Sequence, residues 1–404
     1  MLRTFRQKRS GFITLMAVVA AIFLFIIGVG LLTLGFNRRL YSIRSNHQLA
    51  ARCAVDYGLT KAVHELNLRL PGPIPPYPSA SGVLISGSNI SGVDAKYSYT
   101  ITKNSGVYYV TAHGTSGSIT KTVTCDLRLK SIYEFAILTK NTLDIGSVST
   151  VNCTGCGTFP LKIGTTNNPN IDAEIILKPN STVEGDILLG QGGIPSLVIG
   201  SGATYGNIYA VATDFDLPTP TVPSYLQEGT ATNFGTINIH HNGENTTLTP
   251  ARSGIYENIT LNNSGVLTIV GNVEIWVKGN LTLGNSAYIA IDPNAKLTIY
   301  ISGILNGAYG SGFNNQTVDD PSKLTIYGLS SGSITIKNNG DFCGTIYAPN
   351  ADVVIDNNAK IYGSVIANNY TQQNSVIFTY DARLRTVTEN DKFVRFVPNH
   401  WREL

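Results

Sequence analysis

Ile334-Thr-Ile-Lys-Asn-Asn-Gly-Asp-Phe-Cys-Gly344-Thr-Ile346 is followed nineteen residues later by Val353-Val-Ile-Asp-Asn-Asn-Ala-Lys-Ile-Tyr-Gly363-Ser-Val365. Each phrase is an apolar-x-apolar triplet, a polar turn, and then Gly-x-Ile/Val. The same phrase appears earlier as Ile175 through Gly185-Asp-Ile187 and as Leu197 through Gly206-Asn-Ile208, with marker glycines 21 apart. Between the two pairs lie Leu267-Thr-Ile269, Leu281-Thr-Leu283, Ile289-Ala-Ile291, Leu297-Thr-Ile299 and Leu324-Thr-Ile326. A short strand, a turn and a return about 20 residues later describe one coil of a parallel β-solenoid. Apolar residues at i and i+2 point inward and the residue between them faces water. Gly and Asn suit the left-handed corners. A β-sandwich would explain the alternation but not a Gly-x-Ile phrase recurring at one period. Residues 131–385 are therefore expected to form a β-solenoid (β-helix) of eight to eleven coils, roughly 40–50 Å long at ~4.8 Å per coil. Asp214–Asn233, with Pro218, Pro220 and Pro223, and the Gly/Asn/Asp-rich Tyr309–Ser322 read as loops that interrupt it.

Upstream, residues 81–130 alternate in short runs such as Tyr97-Ser-Tyr-Thr-Ile101 and Ile119 to Leu127, with a turn at Lys103 to Gly106. This predicts a small antiparallel β-meander. Pro71, Pro73, Pro75, Pro76 and Pro78 make 71–80 a stiff linker. The tail, 386–404, ends in Trp401 and is a candidate cap for an open solenoid end.

The chain begins differently. Phe12 to Leu34 is uncharged and long enough to cross roughly 30 Å of hydrocarbon as a helix. Arg3, Arg6, Lys8 and Arg9 precede it with no acid among them. The positive-inside bias keeps that tip cytoplasmic and places the rest outside. From Leu40 to Leu70 there is no Pro, and Leu40, Ile43, His47, Ala50, Ala51, Ala54, Tyr57, Ala62 and Leu66 recur at three- and four-residue steps. One helix over 12–70 is expected, roughly 88 Å at 1.5 Å per residue, and such a rod suits lateral packing against like rods. The fold class expected is a long N-terminal α-helix plus mainly β structure: a small antiparallel β-meander followed by a parallel β-solenoid.

Composition narrows the functions. Only 14% of the 404 residues are charged, against about 25% in ordinary globular proteins. Without residues 1–11 the formal charge falls from +3 to −1. No basic stripe remains, so nucleic acid is not an expected partner.

Lys8-Arg9-Ser10-Gly11-Phe12 before an apolar helix resembles the leader of the type IV pilin and pseudopilin superfamily. Gln48-Leu-Ala-Ala-Arg-Cys-Ala-Val-Asp-Tyr-Gly-Leu59 resembles the Q-A-x-x-A-A-E-x-G-L pattern of PilX-type minor pilins. Gly344-Thr-Ile-Tyr-Ala-Pro-Asn350 and Phe378 to Leu384 resemble an uncharacterised β-solenoid head often joined to such N-termini. The resemblance implies that a prepilin peptidase cuts after Gly11 and methylates Phe12 (leader 1–11, assembly helix 12–70). It also implies a membrane-held subunit that later enters an extracellular filament beside other pilins. Most pilins carry Glu at the fifth mature position. Here it is Met16, which removes the usual contact to a neighbour's amine and points to a minor or tip-located subunit.

Candidate chemistry is sparse. Cys153-Thr-Gly-Cys156 has redox or zinc spacing but lacks a second CxxC or a His pair. It reads as a local disulfide in a turn, or as two unlinked thiols. Asp319-Asp320 reads as a solvated turn rather than a glycosidase pair. His240-His241 has no acid cluster beside it. Asp352 and Asp356 are four apart around a strand and too few for a calcium site. His113 reads as an exposed histidine near a turn. The N-x-S/T triplets at Asn180, Asn258 and Asn280 decide nothing. No cofactor, metal site or catalytic group is expected. The expected function is a non-enzymatic pilin-like subunit displaying its head for assembly, adhesion or binding, with surface polysaccharide as a candidate ligand. The alternatives are a surface-anchored carbohydrate-active enzyme or a minor pseudopilin of a type II-like secretion system.

Overall fold

The computed structural model describes residues 7–70, 82–105, 107–166, 175–195, 198, 200–210, 217–240, 244–314, 320–386 and 394–404. The linker 71–80 lies outside them, as do Asp319 and His241. The chain divides into two units, residues 1–130 with 388–404, and residues 131–387.

In the first unit a single helix, Gln7–Arg69, runs 63 residues, about 94 Å at 1.5 Å per residue. It starts five residues before the expected Phe12, so Gly11 is helical. Burial begins late. Leu40, Ile43 and Tyr57 are exposed, Ala51 is buried, and Ala54, Val55, Ala62 and Leu66 are buried against Tyr97, Tyr99, Ile101, Val110, Ala112, Val123 and Phe396. Small residues seat the helix closely on the sheet. A Cβ on Gly114 would stand 2.1 Å from the Ala51 carbonyl oxygen, which only glycine avoids.

Four strands, Gly82–Asn89, Lys96–Asn104, Val107–Ser116 and Ile119–Ser131, form the expected antiparallel meander. A fifth strand joins it. The tail Val394–Glu403 pairs beside Ile119–Ser131 and is held by Asn67, which accepts from Phe396 N at 2.7 Å and donates to Phe396 O at 3.1 Å. The expected solenoid cap is thus an edge strand of the small sheet, with Trp401 exposed. The tail's Val-Arg-Phe alternation supplies the buried Val394 and Phe396 that this position needs. His113 is half-buried, its Nδ1 2.9 Å from Thr122 Oγ1 across the sheet.

The second unit is a parallel 24-stranded sheet wound into a solenoid with three faces. The first face stacks nine strands, in spatial order 237–239, 259–261, 281–283, 305–307, 334–336, 353–355, 370–372, 143–145 and 175–177. The second runs from 245–248 to 182–183. The third runs from 254–256 to 208–210. Isoleucine, leucine and valine from all three fill one continuous core.

The stacking order is not the chain order. The chain enters mid-stack at Ile137–Thr139 and winds outward to Ile208–Ala210. It then resumes at the opposite end at Ile237 and winds back until 365–381 stacks on 137–154. The first and last coils therefore meet at a seam inside the solenoid.

The corners explain the composition. Between the first and second faces nine described corners place a residue at positive φ: Ser264, Ser286, Gly310, Asn339, Asn358, Ser375, Val148, Asn180 and Gly202. Asparagine carbonyls bond the next coil's backbone: Asn258 Oδ1 accepts from Asn280 N at 2.8 Å, Asn280 Oδ1 from Ile304 N at 3.0 Å, and Asn369 Oδ1 from Thr142 N at 3.1 Å. The sequon-like triplets at Asn258 and Asn280 are products of this ladder. The recurring Gly-x-Ile glycine sits where neighbouring coils touch. Gly363 pairs with Gly344, and a Cβ on it would lie 1.8 Å from the Gly344 carbonyl oxygen. The expected loop at 309–322 is in part regular: Gly310 is a coil corner and Gly312–Phe313 a strand of the second face.

Candidate functional site

On the helix, Phe12 is 64% and Met16 58% exposed, and the apolar side chains from Phe12 to Phe36 meet almost nothing within the protein. Among the described residues this helix alone is long and apolar enough to cross a membrane. Gly11, Phe12 and Met16 lie in sequence along it with no other predicted site residue beside them.

On the solenoid the three faces differ. The third carries an aromatic column outside the core: Trp276, Tyr300, Tyr327 and Tyr347 are the middle residues of successive triplets. Tyr300 and Tyr327 stack at 5.0 Å between centroids. Tyr300, Tyr327 and Tyr347 are buried beneath residues 217–231, part of the segment expected as a loop. Leu217 and Leu226 bury their side chains there. Tyr347 Oη donates to Pro218 O at 2.7 Å, and Asn350 Nδ2 to Thr219 Oγ1 at 2.9 Å. Tyr225 Oη donates to Glu274 Oε2 at 2.5 Å, and Lys278 Nζ binds Glu228 at 2.6 Å and Glu257 at 3.3 Å. Burial, then the Glu274 carboxylate, raises the Tyr225 and Tyr300 hydroxyls far above the ordinary tyrosine value. Hydrogen bonds from Asn233 and Lys278 lower Glu257, and those to Glu228 and Glu257 raise Lys278. The segment is a strap, and the aromatic face is spent on holding it.

The second face is occupied in part, from Asn314 to Asp381. Asn314 Nδ2 donates to Cys343 O at 3.0 Å and to Asp320 O at 3.3 Å. Asp320 accepts from Ser322 N at 3.1 Å, capping the short helix Pro321–Lys323, so its carboxylate has a structural task. Tyr362 Oη donates to Asp381 at 2.9 Å, and Arg383 Nε to the same carboxylate at 2.8 Å. Burial pushes Asp381 up, but Arg383, backbone and Tyr362 hydrogen bonds hold it below the usual carboxylate range. Cys153 and Cys156 are joined in a disulfide, Cα to Cα 5.9 Å. Arg385 reaches Cys156 Sγ at 3.5 Å and the Phe159 and Pro160 carbonyls at 3.0 and 2.8 Å.

The first face carries no covering segment among the described residues. Its outward column reads Asn238, Thr260, Thr282, Asn306, Thr335, Val354 and Thr371 before reaching Asp144, which pairs with Lys178 at 3.0 Å. Asp352 and Asp356 flank Val354. Asp352 accepts from Asn368 and Asn369 at 2.9 and 2.7 Å. His240 N donates to Glu244 at 2.9 Å. None of these groups converges on another, and among the described residues no group of three or more His, Cys, Asp or Glu is placed to hold a metal.

Sequence reasoning missed the aromatic column and the strap. The signal was present as Ile275-Trp-Val277, Ile299-Tyr-Ile301, Ile326-Tyr-Gly328 and Ile346-Tyr-Ala348: an aromatic directly after the inward isoleucine of successive coils.

Fold and faces together describe a β-solenoid carried on a chain with a membrane-length helix. A family model described as a domain of unknown function, DUF7305, matches residues 219–387. No curated protein matches the chain. Among solved structures, the competence-associated pilin ComZ from Thermus thermophilus is similar at a TM-score of 0.22 and 15% identity, over 88% of this chain and 97% of that one. A glycosylated ice-binding protein, LeIBP, from an Arctic yeast is similar at 0.25 and 14%, over 62% of this chain and 94% of that one.

Proposed function

We propose that the chain is a non-enzymatic minor pilin-like subunit that anchors in the membrane, enters a type IV pilus or related filament, and displays its solenoid for adhesion or surface binding. One observation carries the reading. The helix Gln7–Arg69 leaves its apolar half bare while packing Ala51 to Leu66 on its own sheet. An apolar surface all round a helix needs lipid or like helices to cover it, and a filament of packed helices supplies the second after the membrane supplies the first. The basic leader and the Gly11-Phe12 junction suit cleavage by a prepilin peptidase. A methionine at position 16 carries no charge to neutralise a neighbour's amine within lipid, which suits a rare subunit at a special position, such as a tip.

N-terminal mass spectrometry of the protein from cells with and without a prepilin peptidase tests processing. A mature chain beginning at methylated Phe12, only when the peptidase is present, is expected. An intact Met1 in both, or a cut after Leu34, overturns it. Immuno-electron microscopy tests the destination: label on filaments or their tips is expected, and label confined to the membrane overturns the filament role.

A further inference from the structure

We infer that the first face of the solenoid, the column Asn238-Thr260-Thr282-Asn306-Thr335, is a binding surface for a neutral, hydroxyl-rich linear polysaccharide lying along the stack. This rests on the display role proposed above and assigns it a face and a ligand class.

The face is chosen by what the other two already do. The third is covered by the strap, which buries Tyr300, Tyr327 and Tyr347. On the second, Asn314, Cys343 and Asp381 are buried and Tyr362 is hydrogen-bonded to Asp381. Among the described residues the first face has no such cover. Asn238 is exposed and Thr260, Thr282, Asn306 and Thr335 are half-exposed. Their side-chain hydroxyl and amide groups engage no partner among the described residues. Parallel pairing holds these positions in register from 237–239 through 334–336, so a free polar group recurs every ~4.8 Å along a rigid line. The asparagines beside the column are fixed too: Asn258 and Asn280 spend their carbonyl oxygens on the next coil's backbone, which leaves their NH2 groups at the edge of the column.

The ligand class follows from chemistry. Nucleic acid, or any polyanion, needs a run of Lys or Arg. The five column residues include none, and further along the stack Asp352 and Asp356 flank the face while Asp144 is paired with Lys178. A protein interface is anchored by buried Trp, Tyr or Arg, and here those aromatics sit on the covered face. A lipid surface needs apolar or basic residues, and this column offers hydroxyls and amides. A neutral polymer with hydroxyls recurring along its axis matches a line of donors and acceptors recurring along the stack. Each hydrogen bond adds little by itself, but tethered contacts in series compound, so affinity is expected to grow with ligand length.

The experiment uses the full chain in mild detergent and measures depletion from solution by microcrystalline cellulose and by chitin, with carboxymethylated cellulose as an anionic counterpart. Retention on a neutral polymer is expected, at least 10-fold above that on the anionic one. The isosteric variant Thr260→Val/Thr282→Val/Thr335→Val, which keeps β-branching and removes three hydroxyls, is expected to lose at least 10-fold in retention. Thr268→Val/Thr379→Val on the second face is expected to bind as the original chain does. If the triple variant misfolds, competition answers instead: a hexasaccharide is expected to displace the unaltered protein at least 10-fold more effectively than its monosaccharide. No retention on either neutral polymer, equal retention by a folded triple variant, equal displacement by both sugars, or preference for the anionic polymer overturns the inference. Failure here is distinct from failure of the filament role: label on filaments without polysaccharide retention removes only the ligand, and retention without filament label removes only the filament.

Discussion

Val148 is the residue least suited to its place. It holds φ +59 at a coil corner and is 60% exposed. An L side chain in the left-handed region costs about 1–2 kcal/mol, and β-branching adds to the crowding. Three other corners in the same column use asparagine, Asn180, Asn339 and Asn358, whose short polar side chain tolerates this backbone. Val148→Asn is therefore expected to stabilise the protein by about 1 kcal/mol. In urea unfolding the midpoint should rise with an unchanged slope, and an unchanged or lower midpoint would refute the strain. Legibility at this scale was uneven. The glycine of the Gly-x-Ile phrase was readable because Gly363, at φ +143 with a neighbouring coil's carbonyl against it, accepts no other residue. Ser264, Ser286, Ser375 and Val148 occupy equally special corners, but nothing in their chemistry announces a positive φ.

Among the elements, the triplet strands and the helix were legible because burial imposes a period, and a period survives in sequence. The strap was not. Its three prolines announce an extended segment, but what it lies on depends on tyrosines more than fifty residues away. Tyr347 shows the dependence most directly, since its hydroxyl donates to Pro218 O under the strap and its ring is fully buried. Tyr347→Phe keeps the ring and removes the donor, leaving that carbonyl without this bond, at a cost of about 1–2 kcal/mol. The loss should fall on the strap's local opening rather than on the solenoid core, because the ring still packs. Limited proteolysis is expected to cut within 217–231 at least several-fold faster in Tyr347→Phe, with fragments from 259–301 appearing at the original rate. Equal strap cleavage in the two proteins would mean that the aromatic column does not hold it.

The whole molecule poses the question that a repeat cannot answer. Periodicity says that coils stack on neighbours of their own kind and is silent about which coil lies next to which. The seam joins 365–381 to 137–154 across 227 residues of sequence, and its chemistry is local and specific. Ser149, fully buried, donates from Oγ to Gln373 O at 2.8 Å and accepts from Val376 N at 3.1 Å. Asn141 Nδ2 meets Asn368 Oδ1 at 2.8 Å, and Ser364 Oγ donates to Phe135 O at 2.6 Å. Buried serines recur at equivalent corners, Ser181 and Ser311, so the residue type at the seam does not reveal which coils it joins. Closing a long loop costs more conformational entropy than stacking the next coil in sequence, which makes the seam the natural place for the stack to open. In Ser149→Ala a buried amide and a buried carbonyl lose their shared partner, at a cost of roughly 2–3 kcal/mol. Because each coil of a solenoid is coupled mainly to its neighbours, that cost should appear on both sides of the seam and fade with distance from it. Native-state hydrogen exchange is expected to show amides of 137–154 and 365–381 accelerating together in Ser149→Ala, by at least 10-fold, with those of 281–301 changing far less. Uniform acceleration across all three regions would make the solenoid a single cooperative block. Acceleration on one side alone would mean that the first and last coils do not form one seam.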